Sequence, residues 1–314
     1  MVLKERLTPT LFGGIIGDAM GVPVEFKARD TFFIDDMVGY GTYNQPPGTW
    51  SDDTSLTLCL IYNILENGTL KDLINKFYAY YKTGYCTPFG EMFDIGRTTV
   101  DAILRYKRGS SPTHCGGRSE FDNGNGALMR IAPLAFLMYN EFDFLKRVET
   151  IKEYTEITHA HPRAIVGSII YIELLLGLCH DISLQKSLQD IYELFQENYS
   201  KDHQYILELK HFKRIFDANF LATDRSEILS GGYLVHTLEA AIWSLGNSES
   251  FRDAVILAVN LGSDTDTVAT ITGSLAGMCY KMESIPEEWL DKIALKQVLE
   301  TDIDEFYQYC SMKL

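Results

Sequence analysis

Hard oxygen donors gather at two widely separated places in this chain. "TWSDDTSLTLCL" sets Asp52 and Asp53 between Ser51 and Thr54, and "NLGSDTDTVATITGSLAG" sets Asp264 and Asp266 among glycine, serine and threonine. Each group stands at the start of an apolar run. A single polar side chain there is accounted for by helix capping: Ser263 or Asp264 would be an N-cap, with Asp266 facing the positive end of the dipole. Paired carboxylates with flanking hydroxyls exceed what one cap requires. A third stretch, "GDAMGVPVEF", places Asp18 and Glu25 on either side of a glycine-containing turn. If these segments converge, they form a dense anionic cluster whose natural remedy is a cation. Oxygen donors without imidazole or thiolate favour Mg²⁺ or Mn²⁺ over zinc, and the two aspartate pairs are enough for two metals sharing a bridging ligand.

The elements that must position these residues read as helices. Leu56, Leu60 and Ile64 recur at four-residue spacing, and Leu234, Leu238, Ala241 and Trp243 do much the same. Val268, Ile271 and Leu275 make one stripe beside a small-residue stripe, Ala269, Gly273 and Gly277, that would admit a close helical neighbour. "RAIVGSIIYIELLLGL" is apolar nearly all round, as a central helix would be. "ENYSKDHQYILELKHFKRIF" reads as a surface helix pair. Alternating strand patterns are scarce, and "QPPG", "CTPFG", "SSPTHCGG" and "NGNG" punctuate the periodic runs. The expected fold is all-α, a single compact many-helix domain over residues 1–314 with apolar central helices wrapped by amphipathic ones.

The totals agree. The chain has 314 residues, 46% hydrophobic and 23% charged, so it can bury a substantial core. A formal net charge of -15 opposes non-specific binding to nucleic acid and anionic membranes, while a bound cation can still reverse the local sign for a phosphorylated ligand. The six cysteines are scattered and form no CxxC pair, which reads as free thiols in a reducing compartment. Asp18 interrupts the apolar N-terminal stretch, so no signal peptide is read, and the other apolar runs look too short for a bilayer span. A cytoplasmic monomer is expected.

"DNGNGALMR" adds a candidate anion site. Gly124 and Gly126 allow close backbone approach, Asn125 offers an amide, and a helix over "ALMRIAPLAF" would aim free N–H groups at a pyrophosphate. The His159/His161 pair and His114–Cys115 invite zinc, but no further residue completes a recognisable spacing.

In order along the chain, "GGIIGDAMGVPVEF", "WSDDTSL", "FDIGRTT", "GNGALMRIAPLA", "THAHPRA" and "NLGSDTDTVATITGSLAG" resemble the ADP-ribosylglycohydrolase family over about residues 10–280. That resemblance implies a compact all-α protein with a two-metal centre of Mg²⁺ or Mn²⁺. By it, Ser51, Asp52 and Asp53 supply ligands from one helix start, and Asp264, Asp266 and Thr267 from the other. The family usually has threonine where this chain has Ser51; the hydroxyl is kept. Glu25 matches a catalytic glutamate on a mobile loop, to which Gly14, Gly17 and Gly21 would give freedom. Asp94 of "FDIGRTT" matches an aspartate that approaches the scissile ribose in the arginine-directed branch; capping the helix "RTTVDAILRY" is its alternative role. Asn123, Gly124, Asn125, Gly126, His159 and Tyr233 fall where the family binds ADP-ribose. His236 stands where many relatives carry an acidic residue.

The implied activity is metal-dependent hydrolysis of the glycosidic bond between ADP-ribose and an acceptor, reversing arginine-type ADP-ribosylation. The partners would be an ADP-ribosylated protein or a small ADP-ribosyl compound, with no membrane and no nucleic acid. The alternatives are a non-catalytic ADP-ribose-binding or shielding protein and a hydrolase of another small glycoside.

Overall fold

The structure, a computed structural model, describes residues 2–313. Among the described residues fourteen α-helices follow one another in chain order: α1 Val2–Gly21, α2 Asp52–Leu65, α3 Leu70–Thr83, α4 Arg97–Lys107, α5 Pro133–Leu137, α6 Phe144–Glu156, α7 Pro162–Cys179, α8 Leu184–Asn198, α9 Gln204–Leu209, α10 Leu234–Gly246, α11 Phe251–Val259, α12 Thr265–Tyr280, α13 Glu287–Lys292 and α14 Lys296–Ser311. Among the described residues the only β pairing is isolated bridges, Tyr40 with Gln45, Gly117 with His159 and Gly124 with Tyr233. The expected all-α architecture is what forms.

The helix starts obey local chemistry. Thr69 and Asp72 form a capping box at α3, Ser183 caps α8, and His161 accepts from Arg163 N to cap α7, whose first residue is Pro162. The apolar run beginning at Arg163 is the buried central helix α7. Its one acid, Glu173, is held by Arg147 in a two-pronged pair at 2.6 and 2.7 Å. By length and composition, Leu3–Val24 and Pro162–Cys179 would suffice to cross a membrane, contrary to the expectation that the apolar runs fall short. Both are 94% and 89% buried inside the protein, as core helices are.

The seam that matters most joins α1 to α12. A Cβ placed on Gly13 would come within 2.1 Å of Gly273 O; one on Gly17, within 2.0 Å of Ala269 O; one on Gly277, within 1.9 Å of Pro9 O. These pairs run in opposite directions along the two helices, so the helices are antiparallel with backbones in contact. The small-residue stripe Ala269, Gly273 and Gly277 therefore has its expected close neighbour. Gly14, Gly17 and Gly21 are not the hinges of a mobile loop, as the sequence suggested. They lie inside α1, where the missing Cβ atoms admit α12. The geometry also places the C-terminal end of α1 at the N-terminal end of α12: a Cβ on Gly21 would lie 2.3 Å from Asp266 Cα.

Two other expectations change. "ALMRIAPLAF" is not one helix but a 3₁₀ turn, Leu128–Arg130, followed by α5. Pro133 has no N–H to give a preceding turn and can only open a helix. No long helix start follows the "GNG" loop. The surface pair is α9 and a 3₁₀ segment, Lys210–Phe216, rather than two α-helices.

Candidate functional site

The starts of α2 and α12 meet. Thr267 Oγ1 donates to Asp53 Oδ2 at 3.3 Å across 214 residues of sequence, and Ser51 Oγ donates to the same oxygen at 3.3 Å. Carboxylate oxygens of Glu25, Asp264 and Asp266 all lie within 4.8 Å of one another. The Gly96 N–H donates to Asp52 Oδ2 at 3.4 Å, which brings in the loop that carries Asp94.

Capping explains only part of this. Ser51 does cap α2, accepting from Asp53 N, but the same helix start is clamped by a buried carboxylate from α1. Asp18 accepts from Ser51 N at 3.0 and 3.1 Å, from Thr54 N at 3.0 Å and from Thr54 Oγ1 at 2.7 Å. Asp264 stands at the N-cap position of α12 with no capping bond; its Oδ2 instead accepts from Asn125 Nδ2 at 2.8 Å. Asp94 caps nothing, because Gly96 is the N-cap of α4.

The loop carrying Glu25 is pinned, not free. Phe26 N donates to Ser263 O at 2.7 Å and Ser263 N donates back to Lys27 O at 2.8 Å. Both Phe26 and Ser263 take left-handed backbone, at φ 64° and 66°, a strained choice for side-chain-bearing residues. This reciprocal pair locks Glu25 against the Asp264–Asp266 turn.

The electrostatics follow from crowding. Burial, then the charge of Asp94, pushes Glu25 up to about 8. Burial raises Asp18 to about 6, and lifts Asp52, Asp53 and Asp266 well above the carboxylate range, with mutual repulsion adding to each of those three. Asp264 and Asp94 are raised too, chiefly by burial. Glu25 Oε2 and Asp53 Oδ1 are buried without a hydrogen-bond partner. Anions held together with orphaned oxygens are what a divalent cation satisfies, so the donor set fits a hard metal.

The other wall is built from amides, a histidine and arginines, with Arg163 paired to Glu120 and Glu208. Asn125 N donates to Gly232 O at 3.1 Å and Leu234 N to Asn123 O at 3.1 Å, laying the 123–126 loop beside Tyr233. Buried Arg130 holds Gly126 O and donates to Thr158 Oγ1 at 2.8 Å. Thr158 Oγ1 bonds His159 Nδ1 at 2.8 Å, leaving Nε2 facing Gly124 at 3.7 Å from where a Cβ would stand. A Cβ on Gly126 would press on His159 Cε1 at 3.0 Å, so glycine there is steric. Burial, helped by Arg130, lowers His159 to about 3 and keeps it neutral. The Tyr233 hydroxyl accepts from Arg163 at 3.1 Å, and the Tyr233 ring meets His236 edge-on. Asn125 and His161 are spent on Asp264 and on capping α7, and His114 bonds Ser111 and Thr113 at the surface. The sequence-derived site residues thus fall on two walls of one region, the acidic set on one and residues 123–126, His159 and Tyr233 on the other. Asn125 belongs to both, since its amide grips Asp264.

Sequence reasoning missed Arg130, Arg163 and Tyr43. The two arginines lie inside the quoted "GALMR" and "HPRA" motifs. Tyr43 closes the 3₁₀ turn Gly41–Tyr43 with no motif to mark it; its hydroxyl faces both Glu25 and Asp94 and offsets part of the upward push on each.

Fold and site define an all-α protein whose buried carboxylate cluster is built at two helix starts. The family model described as ADP-ribosylglycohydrolase matches residues 1–313, and this chain belongs to that family. It is 32% identical over 307 residues to the "ADP-ribosylarginine hydrolase Tri1" of Serratia proteamaculans (strain 568), covering 96% of this chain and 79% of the relative. It is 26% identical to the "ADP-ribosyl-[dinitrogen reductase] glycohydrolase" of Rhodospirillum rubrum, over 94% and 92% of the two chains. A solved structure titled "ADP-ribosylglycohydrolase-related protein complex" superposes with a TM-score of 0.80 at 28% identity, covering 98% and 99%.

Proposed function

We propose that this protein hydrolyses the bond between the anomeric carbon of ADP-ribose and an acceptor, with an arginine side chain as the acceptor class. The carrying observation is the meeting of the two aspartate motifs, seen as the 3.3 Å Thr267–Asp53 bond. The names of relatives from Serratia proteamaculans and Pseudomonas putida, both "ADP-ribosylarginine hydrolase Tri1", support the acceptor.

Ser51, Asp52, Asp53, Asp264, Asp266 and Thr267 would hold two divalent cations, Mg²⁺ or Mn²⁺. Bound there, such cations supply Lewis acidity toward ribose hydroxyls and water. The chain's own groups do the rest. In the net reaction the C1′–N bond breaks, hydroxyl from water joins C1′, and its proton ends on the departing nitrogen. Glu25, with an orphaned Oε2, is suited to carry that proton, and Asp94 faces it across Tyr43. The developing positive charge on the ribose ring is stabilised by the surrounding carboxylates. Gly124, Gly126, Asn123, His159 Nε2 and Tyr233 would seat the diphosphate end, while Asn125 steadies Asp264. The free thiols, including Cys59 and Cys86 with sulfurs 3.8 Å apart and unbonded, support a reducing, cytoplasmic setting.

The test is a panel of acceptors carrying arginine-linked or serine-linked ADP-ribose, with and without chelator, read as released ADP-ribose. Metal-dependent release from the arginine-linked acceptor is expected. Release that persists undiminished after chelation sinks the metal role, and release only from serine-linked acceptors sinks the acceptor assignment.

A further inference from the structure

We infer that Phe26, Tyr43 and Phe93 form an aromatic wall that receives the planar cation of the acceptor, a guanidinium, and so determines acceptor specificity. This rests on the proposed hydrolase reading and deepens it. The three rings are contiguous: Phe26 meets Tyr43 edge-on at 6.5 Å between centroids, and Tyr43 meets Phe93 at 5.0 Å. Each is tied to the acidic centre. Phe26 directly follows Glu25, Phe93 directly precedes Asp94, and the Tyr43 hydroxyl faces both carboxylates.

Phe26 is the informative member. The residue is 69% exposed; Phe33, Phe89, Phe121 and Phe142 are exposed too, but Phe26 directly follows Glu25. It takes left-handed backbone at φ 64°, which a bulky residue adopts only when its surroundings force it. The surroundings are the paired backbone bonds to Ser263 that also fix Glu25, so the ring is held out into solvent beside the reacting carboxylate. Apart from its edge contact with Tyr43, the ring buries little apolar area in the protein, and a ligand laid against it would cover the rest.

The chemistry of the cover follows from the wall. Aromatic faces attract cations, and guanidinium, planar and weakly hydrated, stacks on them better than ammonium. Carboxylates flank the rings, so the occupant is positive. A hydroxyl acceptor offers neither charge nor plane. In the reaction the guanidinium nitrogen loses C1′ and gains a proton, leaving an arginine cation against the wall.

Phe26→Ala and Phe93→Leu are the test variants, because Tyr43 touches the carboxylates. Their kinetics would be measured on an arginine-linked ADP-ribosylated peptide, with the Kd for free ADP-ribose measured by calorimetry. The expected result is a KM about tenfold higher for each variant, an unchanged ADP-ribose Kd, and recovery with Phe26→Tyr. An unchanged KM, or a loss confined to kcat, overturns the wall; the latter would mean that the ring only holds Glu25 in place. A wild-type protein that binds ADP-ribose yet never releases it from arginine overturns the underlying function instead.

Discussion

The two sides of the candidate site are built on opposite principles. On the acidic side, Glu25 Oε2 and Asp53 Oδ1 have no partner and every carboxylate is pushed toward its neutral form. On the side of residues 123–126, Thr158 links Arg130 to His159 and Arg163 holds the Tyr233 hydroxyl, so most polar groups are held by the protein itself, with Asn123 Oδ1 left without a partner. The acidic wall is frustrated when empty of cations; the other is preorganised. A binding cleft can thus be assembled from one face that stores electrostatic strain for a ligand to relieve and one that is already rigid. The bond that couples them is Asn125 to Asp264.

The largest expected effect breaks the acidic wall alone. Asp52→Asn or Asp266→Asn should lower turnover by ~10³-fold or more, by removing a metal ligand. The same change removes a repelling charge, so the Tm of the metal-free protein should rise. A fall in Tm with turnover intact would mean that these groups are structural. Next comes the seam that carries the acidic wall. Gly273→Ala or Gly17→Ala forces a Cβ into opposing backbone and should cost about 3 kcal/mol in urea unfolding. A neutral result would mean that α1 and α12 can separate without penalty.

A smaller effect tests the coupling between walls. Asn125→Ala should weaken metal binding by roughly 10-fold, measured by calorimetry, because the amide orients a ligating carboxylate. Loss of ADP-ribose affinity with metal affinity unchanged would place Asn125 on the ligand instead. The smallest is a pH trend. Glu25 rises from 4.5 to about 8 on folding, so the folded state holds the extra proton between those values. Its contribution is present below 4.5 and lost as pH rises through about 8. The chelated protein should therefore lose Tm across that window, and Mg²⁺ should raise Tm more at its upper end. A Mg²⁺ effect independent of pH would show that the carboxylates are not competing with protons for the metal.

Much of this is legible in the amino-acid sequence. Ser51, Asp52, Asp53, Asp264, Asp266 and Thr267 announce themselves by excess, since no helix start needs so many oxygens. The stripe Ala269, Gly273 and Gly277 asked for a close neighbour and has one. The neighbour went unrecognised because Gly14, Gly17 and Gly21 sit in a motif that reads as a turn, although Gly13, Gly17 and Gly21 repeat at the same four-residue spacing. Tyr43 carried no signal at all, because a tyrosine in a turn close to another, Tyr40, looks like any other. The helix expected after Gly126 failed at Pro133, whose effect on the preceding residues is local and could have been weighed.

The sequence by itself determined the helices, their caps and the chemical kind of the site, because spacing, capping and donor type are local properties of the chain. Only the tertiary structure decided which acids share a cleft, which of them go unpaired, and that Phe26 is held outward beside Glu25. Those outcomes depend on the antiparallel contact of α1 with α12, which sets residues hundreds of positions apart within bonding distance, and no local pattern encodes the field they then exert on one another.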